Sequence, residues 1–151
     1  MDEALELRPG MKVLEVGAGS GYHAATIAEV LGDTGRVFAI EYLDKLVAVA
    51  RNNLIRAGYA DRVTLVQGDG SLGYAERAPY DRILVTAAAP ETPPPLLEQL
   101  KSDGILVVPV GGRMFPQELV QVRKKPDGAL ERNSMGGVAF VPLVGKYGFS
   151  H

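Results

Sequence analysis

The feature that most restricts the fold of this chain is a glycine-rich loop between a short strand and a helix. The segment Lys12–Val16 has the composition of a buried strand, glycine follows at positions 17, 19 and 21, and apolar residues recur with helical spacing over 23–31. Glycine has no Cβ, so its backbone can adopt positive φ and pass close beneath a ligand. A strand, a glycine loop and a helix in this order are typical of α/β folds that bind nucleotides.

The rest of the chain continues the alternation of strands and helices. The patterns predict further strands over residues 36–41, 62–67, 81–86 and 105–110, and further helices over residues 2–7, 43–57 and 93–100. These strands are mainly apolar rather than alternating, which is typical of a parallel sheet covered on both faces.

The last third of the chain has a different pattern. Residues 118–124 and 129–143 read as strands, and the turn sequence Pro126-Asp127-Gly128 lies between them. Such a turn predicts a hairpin of antiparallel strands. We therefore expect an α/β fold, a doubly wound and mostly parallel sheet with an antiparallel hairpin at its C-terminal edge. The length of 151 residues suits one domain over residues 1–151.

Composition excludes several kinds of chemistry. The chain has no cysteine and two histidines, His23 and His151, so we expect no disulfide, no thiolate nucleophile and no metal site. We expect His23, in the first turn of its helix, to be a partly exposed packing residue rather than a catalytic one. The net charge of −2 argues against nucleic acid or an anionic membrane as a partner. The acidic, polar N-terminus lacks the pattern of a signal peptide, which predicts a cytoplasmic location.

The spacing of the glycines favours a ligand without a pyrophosphate. The dinucleotide fingerprint places its third glycine one position after Gly21, where this chain has Tyr22. The first turn of the following helix offers free N–H groups to a carboxylate. Glu15, near the end of the preceding strand, is suited to a cationic amine. A methionine moiety carries both a carboxylate and an amine.

Two further acidic residues follow strands. Glu41 closes the second strand and is suited to accept hydrogen bonds from the hydroxyls of a ribose. Asp69 and Gly70 follow the third strand, where the carboxylate can accept from an adenine amino group. Taken singly, each feature has another interpretation: the glycine loop as a tight turn, Glu41 as a solvated strand end and Asp69 as a turn residue. Together they stand at three successive strand ends, where open α/β sheets bind ligands.

These segments together resemble one family. The sequences VLEVGAGSGY, FAIEY, QGDGS and PYDRILVTAAAPETPPPLLEQLKSDGILVVPVGG, followed by QEL and FVPL, are similar to those of protein-L-isoaspartate O-methyltransferases. The run from Thr86 to Glu91 is more specific than the glycine loop. The resemblance implies a Rossmann-like fold of the class I methyltransferases. It also implies methyl transfer from S-adenosyl-L-methionine to the side-chain carboxyl of isoaspartyl residues in damaged proteins, with S-adenosyl-L-homocysteine as the product.

The resemblance also assigns site residues. It implies that Val141 pairs through its backbone with the substrate peptide. The residues expected at the cofactor are Glu15, Gly17, Ala18, Gly19, Ser20, Gly21, Glu41, Tyr42, Asp69 and Gly70. A substrate carboxylate is already ionised at neutral pH, so the reaction needs no general base and depends on alignment and desolvation.

The chain departs from the family pattern in two places. The family's N-terminal segment, with the threonine- and serine-containing motif assigned the catalytic role, has no counterpart here, so the catalytic residues are unknown. Val144 stands where some members have a threonine that helps bind cofactor.

Three explanations for the missing segment stay open. The chain is a fragment, or a short protein that completes its substrate pocket with a partner or a second copy of itself, or a cofactor-binding module without catalysis. A methyltransferase for another substrate is a further alternative. Methylation of a base amino group is disfavoured, because Ala87-Ala88-Ala89-Pro90 stands where those enzymes carry an Asp/Asn-Pro-Pro-aromatic motif.

Overall fold

A computed structural model describes residues 2–113 and 116–150 and contains a seven-stranded sheet in the order β3-β2-β1-β4-β5-β6-β7. The strands are β1 (Lys12–Val16), β2 (Arg36–Glu41), β3 (Val63–Gln67), β4 (Tyr80–Val85), β5 (Leu100–Gly111), β6 (Gln117–Lys124) and β7 (Leu130–Val138). The helices are α1 (Asp2–Leu5), α2 (Tyr22–Leu31), α3 (Asp44–Ala57) and α4 (Pro94–Glu98), and two 3₁₀ turns cover Gly70–Leu72 and Ala75–Arg77. None of the helices in these two ranges is long and apolar enough to cross a membrane.

Strands β1 to β5 form the parallel part of the sheet, and β1 lies at its centre between β2 and β4. Val13, Leu14 and Val16 of β1 are buried because both faces of the sheet are covered. Successive side chains of a strand point to opposite faces. Val13 therefore joins the core cluster beneath α1, α2 and α3, and Leu14 joins the cluster beneath α4 and the 3₁₀ turns.

Strands β6 and β7 are antiparallel additions to β5. The hairpin between them turns at Asp127, whose carboxylate accepts a hydrogen bond from the Ala129 N–H at 2.9 Å. The doubly wound, mostly parallel sheet with an antiparallel C-terminal hairpin is therefore confirmed.

Several element boundaries differ from the sequence prediction. The strand predicted over residues 129–143 ends at Val138, because the chain beyond it turns to bond with Ala88. The first helix ends at Leu5 because Glu6 adopts a positive φ of 53°. The helix expected over residues 93–100 ends at Glu98, and β5 begins at Leu100, because Leu100 is buried in the core beside Tyr80 of β4. The two 3₁₀ turns were not predicted, although Asp69, an alternative turn residue in the sequence analysis, caps the first of them.

Two buried polar side chains hold α1 against the sheet. Arg82 of β4 donates to the carbonyl oxygens of Leu5 and Glu6, and Gln121 of β6 donates to the Ala4 carbonyl at 2.7 Å. Burial lowers the pKa of the Arg82 guanidinium from its ordinary value. These donors satisfy carbonyl groups at the C-terminal end of the helix that have no partner within it.

Candidate functional site

A cavity of about 440 Å³ opens at the carboxyl ends of β1, β2 and β4. This edge of an open parallel sheet is where α/β proteins bind ligands, and the volume lies in the range of small-molecule sites. Most of the lining is apolar, and Glu41 is the one charged residue among the described residues that line it. The lining consists of Val16, Gly17, Gly19, Ile40, Glu41, Tyr42, Leu43, Leu46, Gly70, Thr86, Ala87, Val141, Pro142, Leu143 and Val144.

The glycine loop forms the floor of this cavity. Its three glycines at 17, 19 and 21 have φ values of 96°, 54° and 83°. A Cβ on Gly17 would lie 2.7 Å from the Thr86 hydroxyl, and one on Gly21 would lie 3.2 Å from the Ala50 carbonyl oxygen. A Cβ on Gly19 would meet no protein atom within 4 Å. Gly17 and Gly21 are thus favoured by packing as well as by positive φ, whereas a Cβ on Gly19 would extend into open space in the cavity.

Glu41 ties the glycine loop to the start of α3. Its side chain is 7% exposed, and its two carboxylate oxygens accept from the Gly19 N–H at 2.8 Å and the Leu43 N–H at 3.1 Å. A carboxylate oxygen has further lone pairs, so these bonds leave acceptor capacity at the cavity wall. Glu41 therefore holds the loop and offers a negative charge to a ligand.

Glu15 lies outside the lining of the cavity. It is 0% exposed, and its carboxylate lies 3.3 Å from Nδ1 of His23, whose side chain is 29% exposed. Residues 15 and 23 flank the glycine loop, so this pair joins the end of β1 to the first turn of α2. The predicted contact of Glu15 with a ligand amine stays a prediction.

Gly70 and Asp69 follow β3 but face different surroundings. Gly70 lines the cavity, and a Cβ there would lie 2.4 Å from Cγ1 of Val16. Asp69 is outside the lining, and its oxygens accept from the Ser71 N–H at 2.9 Å, from the Ser71 hydroxyl at 2.6 Å and from the Lys146 N–H at 2.9 Å. Its predicted contact with adenine stays a prediction.

The opposite wall of the cavity is formed by two segments that carry the family resemblance, the run that begins at Thr86 and the FVPL segment at residues 140–143. The Ala88 N–H donates to the Val141 carbonyl at 2.8 Å, and the Leu143 N–H donates to the Ala88 carbonyl at 2.8 Å. Val141 is 70% exposed at the mouth of the cavity. The Thr86 hydroxyl donates to the Gly17 carbonyl at 2.7 Å, which fixes this wall to the glycine loop.

Some of the site residues predicted from the sequence lie together in the lining of the cavity, and others do not. The predicted residues that line the cavity are Gly17, Gly19, Glu41, Tyr42, Gly70 and Val141, and those that lie outside the lining are Glu15, Ala18, Ser20, Gly21 and Asp69. Apolar residues such as Val16 and Ile40 were missed, although their positions at strand ends could have indicated them.

Comparison with known proteins gives one consistent family. The sequence profile described as "Protein-L-isoaspartate(D-aspartate) O-methyltransferase (PCMT)" matches residues 1–148. A protein-L-isoaspartate O-methyltransferase from Hyperthermus butylicus is 55% identical over 99% of this chain and 64% of its own length. One from Methanococcoides burtonii is 54% identical over 99% of this chain and 72% of its own length. The chain thus spans about two thirds of the length of these relatives.

Solved structures show the same relationship. A protein-L-isoaspartate O-methyltransferase structure matches with a TM-score of 0.88 and 36% identity, over 97% of this chain and 46% of the other. A proposed enzyme of this name from Plasmodium falciparum, solved in complex with S-adenosyl-L-homocysteine, matches with a TM-score of 0.81 and 25% identity, over 94% of this chain and 68% of the other.

Proposed function

Since this chain belongs to the protein-L-isoaspartate O-methyltransferase family, we propose that its cavity binds S-adenosyl-L-methionine and serves methyl transfer to isoaspartyl carboxyl groups of damaged proteins. The observation that carries the proposal is the cavity at the carboxyl ends of β1, β2 and β4, with a glycine floor and Glu41 in its wall. Because the chain spans 64% of the length of one relative, activity, substrate and partners are all part of the proposal.

The chemistry of the lining fits this cofactor. The apolar side chains of Val16, Ile40 and Leu46 suit an adenine ring, and the Glu41 carboxylate suits ribose hydroxyls as donors. Among the described residues that line the cavity none is cationic, which suits a positively charged sulfonium and disfavours a pyrophosphate. When bound, S-adenosyl-L-methionine supplies an electrophilic methyl group.

The residues of the chain have three tasks in this mechanism. Glu41 orients the ligand and holds the glycine loop through the Gly19 N–H. Thr86 keeps the loop and the opposite wall at a fixed separation. The apolar lining excludes water, which strengthens the nucleophilicity of a carboxylate by removing its hydration. No proton has to be removed from the attacking group, because a carboxylate with a pKa near 4 is ionised at neutral pH.

The substrate side of the proposal concerns Val141. Its position at the mouth, with its carbonyl held by Ala88, makes it a support for an extended peptide beside the cavity. Alignment of two reacting groups can lower a barrier by about 7–11 kcal/mol, so a fixed peptide backbone is a sufficient role for this segment.

Methyl transfer to a pair of peptides tests the proposal. One peptide carries an isoaspartyl residue, and the matched control carries aspartyl at the same position. With radiolabelled S-adenosyl-L-methionine, we expect alkali-labile methyl ester on the isoaspartyl peptide and background label on the aspartyl peptide. Equal labelling of both peptides, or no label on either while a full-length relative labels the first, contradicts the proposed activity of this chain.

The remaining expectations are part of the same proposal. We propose polypeptides with isoaspartyl residues as partners, a cytoplasmic location, and no binding to nucleic acid or membranes. Association of two copies, as a way to complete the substrate pocket, stays a prediction that sedimentation in the presence of cofactor can test.

A further inference from the structure

The segment after the cavity wall folds back onto the loop that follows β3. Residues 141–144 line the cavity, and residues 145–147 lie against Asp69 and Ser71, more than 70 positions earlier in the chain. The contact lies outside the lining of the cavity. Asp69 is therefore in a position to influence the wall, independently of any contact that it makes with a ligand.

Hydrogen bonds to backbone groups make up this contact. Asp69 accepts from the Lys146 N–H at 2.9 Å, and the Ser71 hydroxyl oxygen accepts from the Tyr147 N–H at 3.1 Å. The same Ser71 hydroxyl donates to Asp69 at 2.6 Å, and Ser71 is fully buried. A carboxylate acceptor makes such bonds stronger than those between neutral groups. We call Asp69 and Ser71, with the backbone of Gly145, Lys146 and Tyr147, the Asp69 latch.

Close packing accompanies the hydrogen bonds. A Cβ on Gly145 would lie 2.1 Å from an Asp69 carboxylate oxygen and 2.7 Å from the Ser71 hydroxyl. No residue with a side chain fits at position 145 without moving Asp69. The latch thus depends on a glycine at 145 as much as on the carboxylate at 69.

The latch is one of several attachments of the cavity wall, which also include the bonds of the Gln117 side chain to the Phe140 backbone and the bond from the Phe149 N–H to the Leu143 carbonyl. On one side, Ala88 bonds to Val141 and Leu143. On the other side, the latch holds the chain directly after Val144. Between these attachments the wall carries Pro142 and the side chains that face the cavity. Release of the latch would remove the hydrogen bonds that hold residues 146 and 147 to the loop after β3.

We propose that Asp69 is a positioning residue, which closes the 141–147 segment over the cavity through the latch and thereby shapes both the cofactor pocket and the peptide support at Val141. This inference rests on the proposed function for its effect on ligands, whereas the closure itself is a property of the chain. It differs from a direct contact with adenine, which would need the Asp69 carboxylate but neither Ser71 nor Gly145.

Limited trypsin digestion of the folded chain tests the closure without any ligand. The bond after Lys146 lies inside the latch, and its cleavage releases residues 147–151 for detection by mass spectrometry. We expect Asp69→Ala, Ser71→Ala and Gly145→Ala each to accelerate this cleavage about tenfold or more, since local opening controls proteolysis. Gly145→Ala keeps the side chains of Asp69 and Ser71, so it opens the latch only through the steric clash of the new Cβ with them.

The matched control is Asp127→Ala. Asp127 also accepts a backbone N–H at 2.9 Å, but in the β6–β7 hairpin, so its loss leaves cleavage after Lys146 unchanged. Melting temperatures of all variants exclude general unfolding as the cause. Unchanged cleavage after Lys146 in Ser71→Ala and Gly145→Ala overturns the latch.

Ligand binding separates the two roles of Asp69. With a latch, all three variants weaken S-adenosyl-L-homocysteine binding and raise the KM for an isoaspartyl peptide, each about tenfold or more. With a direct adenine contact, Asp69→Ala weakens cofactor binding, whereas Ser71→Ala and Gly145→Ala bind as the parent does, and this result contradicts the proposal. A parent chain that binds no cofactor refutes the proposed function and leaves the digestion result as the test of closure.

Discussion

Substitution of Gly19 by alanine separates what the glycine loop does for the fold from what it does for the ligand. Gly19 has a φ of 54°, and an added Cβ would meet no protein atom within 4 Å. Alanine at position 19 therefore destabilises the fold through its backbone conformation, and not through a steric clash. Because Gly19 lines the cavity, the new methyl group occupies space proposed for the cofactor.

The two effects have different sizes. A left-handed conformation costs a residue with a side chain about 1–2 kcal/mol, which for a domain of this length corresponds to roughly 2–8 °C in Tm. Saturating ligand at about 100 times Kd stabilises a protein by about 2.7 kcal/mol, and a tenfold weaker Kd reduces this to about 1.4 kcal/mol. We expect Gly19→Ala to lower both the Tm and its rise on addition of S-adenosyl-L-homocysteine, the latter by about half.

Thermal melting with and without ligand measures both quantities in one experiment. The matched control is Gly58→Ala, because Gly58 ends α3 with a φ of 84° and also has open space at its Cβ, but lies outside the cavity. Gly58→Ala lowers the Tm and keeps the full ligand-induced rise. A Gly19→Ala variant with the ligand-induced rise of the parent refutes the assignment of this loop as the cofactor floor.

Three further predictions concern the contacts of charged or polar side chains. His23→Leu lowers the free energy of unfolding in urea by about 1–3 kcal/mol, since it removes a partner of the buried Glu15 carboxylate. Arg82→Met releases α1 and lowers the same quantity by about 1.5–3 kcal/mol, because charged donors to buried carbonyls are lost. The hydrogen bond from Lys125 lowers the pKa of Glu131. The contact of the Glu131 carboxylate with Lys125 stabilises the fold at pH values above the ordinary pKa of 4.5, and this contribution is lost as the pH falls through the lower pKa of the folded state. We therefore expect Lys125→Ala to raise the pKa of Glu131, as followed by NMR.

A partly exposed and an exposed helix residue provide controls for the first two of these. Thr26→Ala lies one turn beyond His23 in α2 and leaves the unfolding free energy within about 0.5 kcal/mol. Arg51→Met, the control for Arg82→Met, replaces an exposed arginine of α3 and also leaves the unfolding free energy within about 0.5 kcal/mol. A His23→Leu or Arg82→Met variant as stable as these controls contradicts the corresponding contact.

The sequence was most informative where a function follows from position along a strand. Glu41 and the glycines end β2 and β1, so their presence at one edge of the sheet follows from the parallel order of the strands. The direction of a single side chain was harder to predict. Glu15 and Val16 are neighbours, yet Val16 lines the cavity and Glu15 lies beside His23, because consecutive strand residues face opposite sides.

Contacts between residues far apart in the chain account for other features of the structure that were not predicted from the sequence. The predicted contact of Asp69 with adenine stays a prediction, but its carboxylate also accepts from the Lys146 N–H, a partner 77 positions away that no local pattern indicates. The early start of β5 has a similar cause. Leu100 continued the helical pattern of the preceding residues, but burial against Tyr80 places it in the strand.

Calorimetric titration with S-adenosyl-L-homocysteine tests the central claim, that the cavity of this chain is the cofactor site. We expect one bound ligand per chain, and about tenfold or greater weakening in Glu41→Ala, because this substitution removes the charged acceptor in the wall and the hydrogen-bond partner of the Gly19 N–H. Absence of binding by the folded parent, or equal affinity of Glu41→Ala and parent, would contradict it.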